Sequence, residues 1–410
     1  MNNDYVVIVD AFSGGKYLTQ VLSKAGFHLI HLLSEEGAQY YKGHPESVFF
    51  VEKLDLKARN IKDILTDLSK YNVKAVVPGC ESGVYTAELL SNKLSLPSNE
   101  MSTSQIRRDK ALMQQAIKSN GLKSIKEQVI CEDSINEILS NFDSYPAIIK
   151  TIDEGASINV YMCTNKVDAF RIINKLINSQ SVFGKPIKKV LIQEKLNGIE
   201  LIVNTISTKG SHFITDIWKY EKTYIDGGGV IADLVILDDL SYSESFYEYV
   251  YGSLDAVGIS NGLSHMELFN DNDSFTLVEV GARIMGGDFD AKLWNTVTSL
   301  SQAEALSMHL KGEHLTQDLF YKKANCCLLL YPSYTEGVIS EIIDLGAALK
   351  NCTSVHKYEC FAKVGDYLQI AKDDRGPYIA MVILINTDEF EYRKDLEYAK
   401  TLRKQLVKIS

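Results

Sequence analysis

A strand–helix–strand rhythm over the first hundred residues limits this chain more than any other feature. YVVIVD at 5–10 is a short apolar run without polar alternation, the pattern of a strand covered on both faces. A glycine turn at Gly14-Gly15 and a helical pattern over 16–25 follow. Then come the strand HLIHLL at 28–33, a helix over 61–70, the strand VKAVVPG at 73–79 and a helix over 83–94. Strands joined by helices pair in parallel, so this segment predicts a small doubly wound sheet. Such sheets bind ligands at the carboxyl ends of their strands. Asp10, Ser13, Gly14 and the run CESG at 80–83 sit at those ends, with Glu81 and Ser82 able to reach a substrate.

Four familiar loops are excluded. A Walker-type phosphate loop needs glycine where Asp10 stands and Ser or Thr where Tyr17 stands, and no G-x-G-x-x-G follows the first strand. GCESG has no G-x-S-x-G frame. Phe275 falls where a calcium loop at Asp271 needs a ligand.

The character changes after Ser102. A helix over 106–120 carries Arg108, Asp109 and Lys110, and YPAIIK is a strand that ends at Lys150. TIDEGASINV then forms a Gly/Ser loop with Gly155 and Ser157, and a helix follows over 166–178. A lysine at a strand end before such a loop suits a triphosphate, because the ammonium gives a point charge and the loop gives backbone donors. VLIQEKL at 190–196 is the next strand, and NGIELIVNTI places Gly198 and Glu200 before another. From about Tyr321 the strands CCLLLY, YLQIA and YIAMVILI and a charged helix over 389–407 read as a small α+β lobe without chemistry of its own.

Between Ser264 and Asp288 the chain reads SHMELFNDNDSFTLVEVGARIMGGD. Two alternating strands flank polar turn residues, so a β-hairpin is expected. A five-residue loop over 270–274 puts Leu277 opposite Glu267 and makes Glu279 its same-face diagonal neighbour, about 7–8 Å away. Two carboxylates at that spacing suit magnesium, a hard ion that takes a few carboxylates plus substrate phosphates. Arg283 adds a fixed positive charge, and Gly286-Gly287 let backbone amides approach an anion. His265 shares the strand of Glu267 and reads as a structural or supporting group, while Asp288 and Asp290 could take a substrate cation.

Composition excludes several function classes. The net charge of −10 disfavours nucleic acid and anionic membrane surfaces as partners. No apolar run is long enough to span a bilayer, and Asp4 and Asp10 interrupt any secretory pattern. Seven scattered cysteines without CxxC spacing fit reduced thiols in a cytoplasmic protein.

In this order the segments resemble the ATP-grasp superfamily, and within it the carboxylate–amine ligases that join amino acids, the L-amino acid ligases or dipeptide synthetases. The resemblance covers nearly the whole chain. It implies an α/β and α+β architecture: an N-terminal Rossmann-like domain over 1–103, a small grasp lobe with its glycine-rich lid over 104–192, a large lobe over 193–318, and a C-terminal lobe over 319–410 that completes the large domain. RRDKALMQQAIKSNGL and YPAIIKTIDEGASINV imply ATP contacts by Lys110, Lys150, Gly155 and Ser157. VLIQEKLNGIE implies an adenine border at Gln193, Glu194, Lys195 and Leu196, with Glu200 on the ribose. HMEL and LVEVGARIMGG imply Glu267 and Glu279 as magnesium ligands, with manganese able to replace magnesium, and Arg283 facing the phosphates and the reacting carboxyl. Lys150, Glu279 and Arg283 are the expected catalytic groups. DIWKYEK implies that Trp218, Tyr220 and Lys222 line an amino-acid pocket together with Gly286, Gly287 and Asp288. One departure stands out: many members carry asparagine where this chain has Gly281, which offers no side-chain oxygen to a second metal. The implied activity is peptide-bond formation between two L-amino acids through an acyl phosphate, releasing ADP and phosphate. Another amine, a peptide or a carrier protein as acceptor, and a non-catalytic ATP-binding role, stay open here. A homodimer is compatible with the superfamily.

Overall fold

The computed structural model describes residues 3–45, 48–152, 158–181, 186–225, 228–238, 242–287 and 289–410. The N-terminal segment forms four parallel strands in the spatial order Phe50–Asp55, His28–Leu33, Asp4–Val9, Asn72–Pro78. Strand alternation sends Val6 and Ile8 to one face, against Leu18 and Leu22 of the helix Gly14–Lys24. Val7 and Val9 point to the other face, against Ile64 and Leu68 of Ile61–Leu68 and Ala87 and Leu90 of Val84–Lys93. Burial on both faces is why the first strand is apolar throughout. The edge strand Phe50–Asp55 was not expected. Its sequence FVEKLD buries only Leu54, as edge strands do, so it carries little apolar signal.

The helix expected from Lys16 begins at Gly14, and its first two residues touch backbone on both sides. A Cβ at Gly14 would lie 2.0 Å from the carbonyl oxygen of Met285, and one at Gly15 would lie 2.7 Å from Cα of Gly79. These glycines therefore let the N-terminal sheet and the segment after the carboxylate hairpin pack backbone to backbone. Asp10, fully buried with φ 55°, ties the strand ends by accepting from Ser34 N (2.8 Å), Ser34 Oγ (2.6 Å) and Ser82 Oγ (2.7 Å). Burial raises its carboxyl pKa, opposed in part by those donors.

The rest of the chain is organised by a twelve-stranded antiparallel sheet. Ser274–Gly281, Gly262–Asp271, Ile199–Thr208, Ser211–Ile225 and Gly228–Leu237 form its large half, and Tyr161–Cys163, Ala147–Thr151, Lys189–Glu194 and Glu127–Cys131 its small half. Among the described residues the two halves are joined by one strand pair, Gly228 with Tyr161. Helices Lys110–Ser119 and Glu244–Ala256 cover the large half, and Ile135–Asn141 and Lys166–Ile177 cover the small half. The large half continues into Asn325–Pro332, Tyr378–Asn386 and Val355–Cys360, on which the helix Glu389–Leu402 packs.

Three expected boundaries are corrected. The helix expected over 106–120 starts at Lys110, because Asp109 caps it by accepting from Ala111 N and Leu112 N (2.9 and 3.0 Å). Arg107 precedes that cap and is buried in a pair with Glu88 (2.7 Å). The last helix stops at Leu402, and Val407–Ile409 is a strand paired with Gly337–Ile342. YLQIA contributes only the two-residue strand Tyr367–Leu368. No helix of the described residues is long and apolar enough to cross a membrane.

Gly14→Ala is expected to destabilise the protein by about 2–3 kcal/mol, because the clash is with a carbonyl rather than a side chain that could rotate away. Urea unfolding checks this, and an unchanged midpoint would show that the loop at Met285 yields freely.

Candidate active site

The carboxylate hairpin turns more tightly than expected. Asp271 pairs with Ser274 across a two-residue turn in which Asn272 and Asp273 both have positive φ (51° and 63°), the backbone of a type I′ turn. Leu268 then faces Leu277, but the next pair is Glu267 with Glu279, which leaves Val278 as a bulge. The expected Glu267–Leu277 register is therefore off by one residue on the turn side of the bulge and by two beyond it. The two carboxylates are direct cross-strand partners rather than diagonal neighbours. Gln114, on the helix that begins at Lys110, donates to the carbonyls of Leu277 (2.8 Å) and Val278 (3.4 Å) at the bulge. That hydrogen bond joins the lysine-bearing helix to the bulge that sets the register.

Lys110 reaches the carboxylates directly, with Nζ 2.9 Å from Glu279 Oε2. Burial works against its charge, but Glu279, Glu81 and Glu267 outweigh it and the pKa rises. The backbone N–H of Lys110 donates to the carbonyl of Ile152 (3.4 Å), just past the strand that holds Lys150. Lys150 is 5% exposed. Burial, and then the nearby charge of Lys110, pull its pKa down to about 8 against the opposing pull of Glu279, Glu127 and Glu267. Gly155 and Ser157 lie outside the described residues.

The expected adenine border is the end of Lys189–Glu194 and the segment after it. Gln193 is buried and donates to the Glu127 carboxylate on the adjacent strand. Glu194 accepts from Lys126 N (2.9 Å), and Lys195 N donates to the Pro146 carbonyl (3.2 Å), so both are anchored, while Leu196 is half-buried. Gly198 (φ 101°) presses on the hairpin, where a Cβ would meet the Asn270 carbonyl oxygen at 2.1 Å. Glu200 is held by Lys222 (2.6 Å), whose ammonium also lies 5.2 Å over the ring of Tyr220. Burial lowers the Lys222 pKa, yet Glu200, Glu267 and Asp374 together raise it well above the ordinary value. The opposite balance holds at Glu200, where burial and Glu267 raise the pKa more than Lys222 lowers it.

From the C-terminal lobe, Asp374 brings a charge close to the site. Its Oδ1 accepts from Ile231 N (2.7 Å), and its charge acts on Lys222, Glu200 and Tyr220. Nothing in its local sequence, KDDRG, marks it for that place.

Arg283 donates through Nε to Glu81 (3.0 Å), which also pairs with Arg108 (3.3 Å), which in turn pairs with Glu36 (2.5 Å). Burial raises the Glu81 pKa, but Arg108, Arg283 and Lys110 outweigh it and hold the carboxylate ionised. Ser82 does not face this cleft, since its hydroxyl is committed to Asp10. Gly281 explains how Glu81 fits: a Cβ there would lie 2.7 Å from Glu81 Oε2. The space that an asparagine side chain would need is taken by a carboxylate from the N-terminal sheet. Gly287 donates to Ser13 Oγ (2.9 Å), Asp288 lies outside the described residues, and Asp290 is the N-cap of Ala291–Val297 rather than a free carboxylate.

Trp218 is fully buried, stacked near Phe289 and edge-on to Trp294, and its indole N–H donates to Asp216 (2.6 Å). Asp216 also accepts from Asn204 Nδ2 (2.5 Å), and Asn204 Oδ1 lies 2.9 Å from His265 Nδ1. His265 Nε2 stands 3.8 Å from Glu267. Burial raises the Glu267 pKa, but Lys222, His265 and Arg283 bring it down to about 2. The donor set fits a hard divalent ion: two half-buried carboxylates face each other, and a lysine ammonium already sits on one of them. Among the described residues no three His, Cys, Asp or Glu side chains group closely enough to hold a metal unaided. An ion here must complete its shell from substrate oxygens and water.

No family model matches the chain. It is 29% identical to a dapdiamide A synthase of Enterobacter agglomerans over 291 residues, 70% of this chain and 68% of that protein. It is 28% identical to a D-alanine–D-alanine ligase of Fusobacterium nucleatum subsp. nucleatum over 177 residues, 40% of this chain and 55% of that one. The crystal structure of an L-amino acid ligase from Bacillus licheniformis superposes with a TM-score of 0.73 at 15% identity, covering 100% of both chains. The chain has the ATP-grasp fold, and its sequence relatives are ATP-grasp ligases.

Gly281→Ala is expected to push the Glu81 carboxylate off Arg283 while changing stability by less than about 1 kcal/mol, since only a side-chain end must move. By NMR, the Arg283 Nε–H resonance should exchange with water as fast in Gly281→Ala as in Glu81→Gln. A resonance still protected in Gly281→Ala would mean that the pair tolerates the methyl group.

Proposed function

We propose that this chain is an ATP-dependent, ADP-forming carboxylate–amine ligase that joins two L-amino acids. The observation that carries the reading is the carboxylate pair, Glu267 opposite Glu279, with Lys110 at 2.9 Å and the buried Lys150 beside it. The similarity to ligases over most of the chain supports the same reading. The proposed division of labour follows the domain limits 1–103, 104–192, 193–318 and 319–410.

A carboxylate does not condense with an amine at neutral pH, because its oxygen is a poor leaving group. Phosphorylation by the γ-phosphate of ATP converts that oxygen into phosphate, and the amine then displaces it from the acyl carbon. Lys110 and Lys150 hold the phosphates so that the donor lies in line with the acceptor carboxylate. Glu267 and Glu279 hold magnesium, which neutralises charge spreading over the transferred oxygens; manganese can replace it. Arg283 balances the negative charge that builds in both half-reactions, a contribution of about 3–4 kcal/mol for a well-placed donor. Glu81, freed from Arg283, is placed to take the substrate ammonium. Gly155 and Ser157 close over the phosphates and keep water from the acyl phosphate. Gln193, Glu194, Lys195 and Leu196 border the adenine, and Glu200, held by Lys222 in the free protein, takes the ribose. Tyr220 and the Trp218–Phe289 stack shape the amino-acid side-chain pocket with Gly286 and Gly287. All seven cysteines are free thiols, which suits a reducing cytoplasm.

Mg-ATP with all pairwise mixtures of amino acids tests the reading. The expected result is ADP and phosphate only where two suitable amino acids are present, with a product mass equal to their sum less water. AMP in place of ADP would exclude the acyl-phosphate route. Nucleotide binding without turnover in every mixture would favour a larger acceptor. Glu279→Ala is expected to lower turnover at least about 100-fold.

Lys150 gives a pH signature. Its pKa of about 8 in the free protein must rise when anionic phosphates arrive, so binding above pH 8 takes up a proton. Nucleotide affinity is therefore expected to fall as pH rises above 8 and to be flat below 7. Calorimetry in buffers of different ionisation enthalpy should find uptake approaching one proton at about pH 8.5–9, lost in Lys150→Met. No uptake in the parent protein would remove Lys150 from the phosphate site.

A further inference from the structure

Position 281 offers no metal ligand, yet the residue directly across the hairpin from it is a histidine: His265 pairs with Gly281, as Glu267 pairs with Glu279. The four positions share one face of the two strands. We propose that Nε2 of His265 is a ligand of the divalent ion carried by Glu267, in the role that a side chain at 281 cannot fill. The inference rests on the ATP-grasp ligase reading above and deepens its metal site.

The hydrogen-bond network leaves one assignment for the imidazole. Asn204 must direct its Nδ2 to Asp216, because its oxygen against that carboxylate would leave two acceptors facing each other at 2.5 Å. Its Oδ1 therefore faces His265, and His265 Nδ1 must carry the proton that bridges the 2.9 Å to it. Asp216 is itself fixed by Thr215 Oγ1 (2.8 Å) and the Trp218 indole (2.6 Å), so the chain of donors cannot easily reverse. With Nδ1 as the donor to Asn204, Nε2 is the ring nitrogen that faces Glu267. Its 3.8 Å separation from Glu267 Oε1 is too long for a hydrogen bond. Two donors to one six-coordinate ion stand about 3 Å apart at right angles and farther apart at wider angles. The gap between Nε2 and the carboxylate is thus one that a shared divalent ion would span. An imidazole whose other nitrogen donates into a fixed acceptor is the usual arrangement of a metal-bound histidine.

At 6% exposure the ring is not a solvent-facing histidine. One protein nitrogen and one carboxylate leave room for phosphate oxygens, in keeping with the lack of a self-sufficient three-residue metal group among the described residues. A nitrogen ligand also predicts a preference: cobalt and manganese gain on magnesium relative to an all-oxygen site.

The test uses the full chain with ADP and Mn2+, read by pulsed electron paramagnetic resonance. A directly bound histidine nitrogen gives a modulation that changes when histidine alone is labelled with 15N, which needs no variant and separates it from adenine nitrogens. That change supports the proposal. His265→Gln should abolish it, and Asn204→Leu should weaken Mn2+ binding 10–100-fold by freeing the ring. Bound Mn2+ with no histidine coupling in the parent protein would overturn the proposal and leave the ligase reading intact. Failure of Mn2+ to bind with ADP would overturn both.

Discussion

Two carboxylates placed directly across a hairpin repel each other, and most of the charged groups around the cleft answer that repulsion. At about 5 Å and an effective dielectric near 20 the repulsion is about 3 kcal/mol. Lys110 sits on Glu279, Lys222 acts on Glu267, and Arg283 closes the third side. These cations come from the helix before the small lobe, from the long strand Ser211–Ile225 and from the end of the hairpin itself. Each had to be brought in by tertiary structure. The bulge at Val278 that creates the opposition is held by Gln114, one turn along the helix that supplies Lys110. Electrostatic demand and its answer are thus built into one contact between helix and hairpin.

The N-terminal sheet takes part through shared side-chain packing, with Tyr17, Leu18 and Leu22 in one core with Trp294 and Leu306, and through close backbone approach. Gly14 and Gly15 let its first helix touch the Met285 carbonyl and Gly79, and this brings the end of the fourth strand over the hairpin. Glu81 then falls into the volume left by Gly281 and pairs with Arg283. Gly281 is therefore more than a missing ligand. It makes room for a carboxylate from another part of the chain, and the ion-pair series Glu36–Arg108–Glu81–Arg283 locks that part in place.

The legible parts of the sequence were those where burial on two faces or a short-range pattern decides the outcome. YVVIVD, HLIHLL and VKAVVPG are strands because both sides are covered, and Lys110, Lys150, Glu267, Glu279, Glu81 and Arg283 surround one cleft. FVEKLD escaped notice because an edge strand needs no apolar stripe. The hairpin register was misjudged because a two-residue turn at Asn272-Asp273 and a compensating bulge both depend on contacts elsewhere, and NDND carries no glycine to announce the turn. The end of the last helix is not legible locally, because LVKI pairs with a strand more than sixty residues away. Asp374 was invisible for the same reason: a solvent-type loop is brought beside Lys222 by the lobe that carries it.

The charges of the cleft are paired in a way that anticipates exchange. Lys222 holds Glu200, Lys110 holds Glu279 and Arg283 holds Glu81, so each cation needed for an anionic substrate already has a carboxylate. Breaking such pairs is costly when nothing replaces them, since a half-buried charge would be left alone. Under the proposed function phosphates would take the lysines and a divalent ion the carboxylates, so that every charge is paired again. Lys150 is the exception. It is buried, has no ion pair among the described residues, and its pKa is the one that burial drives down. Lys150 thus leaves the site with one cation that no carboxylate answers, at the end of the cleft where Lys110 also lies.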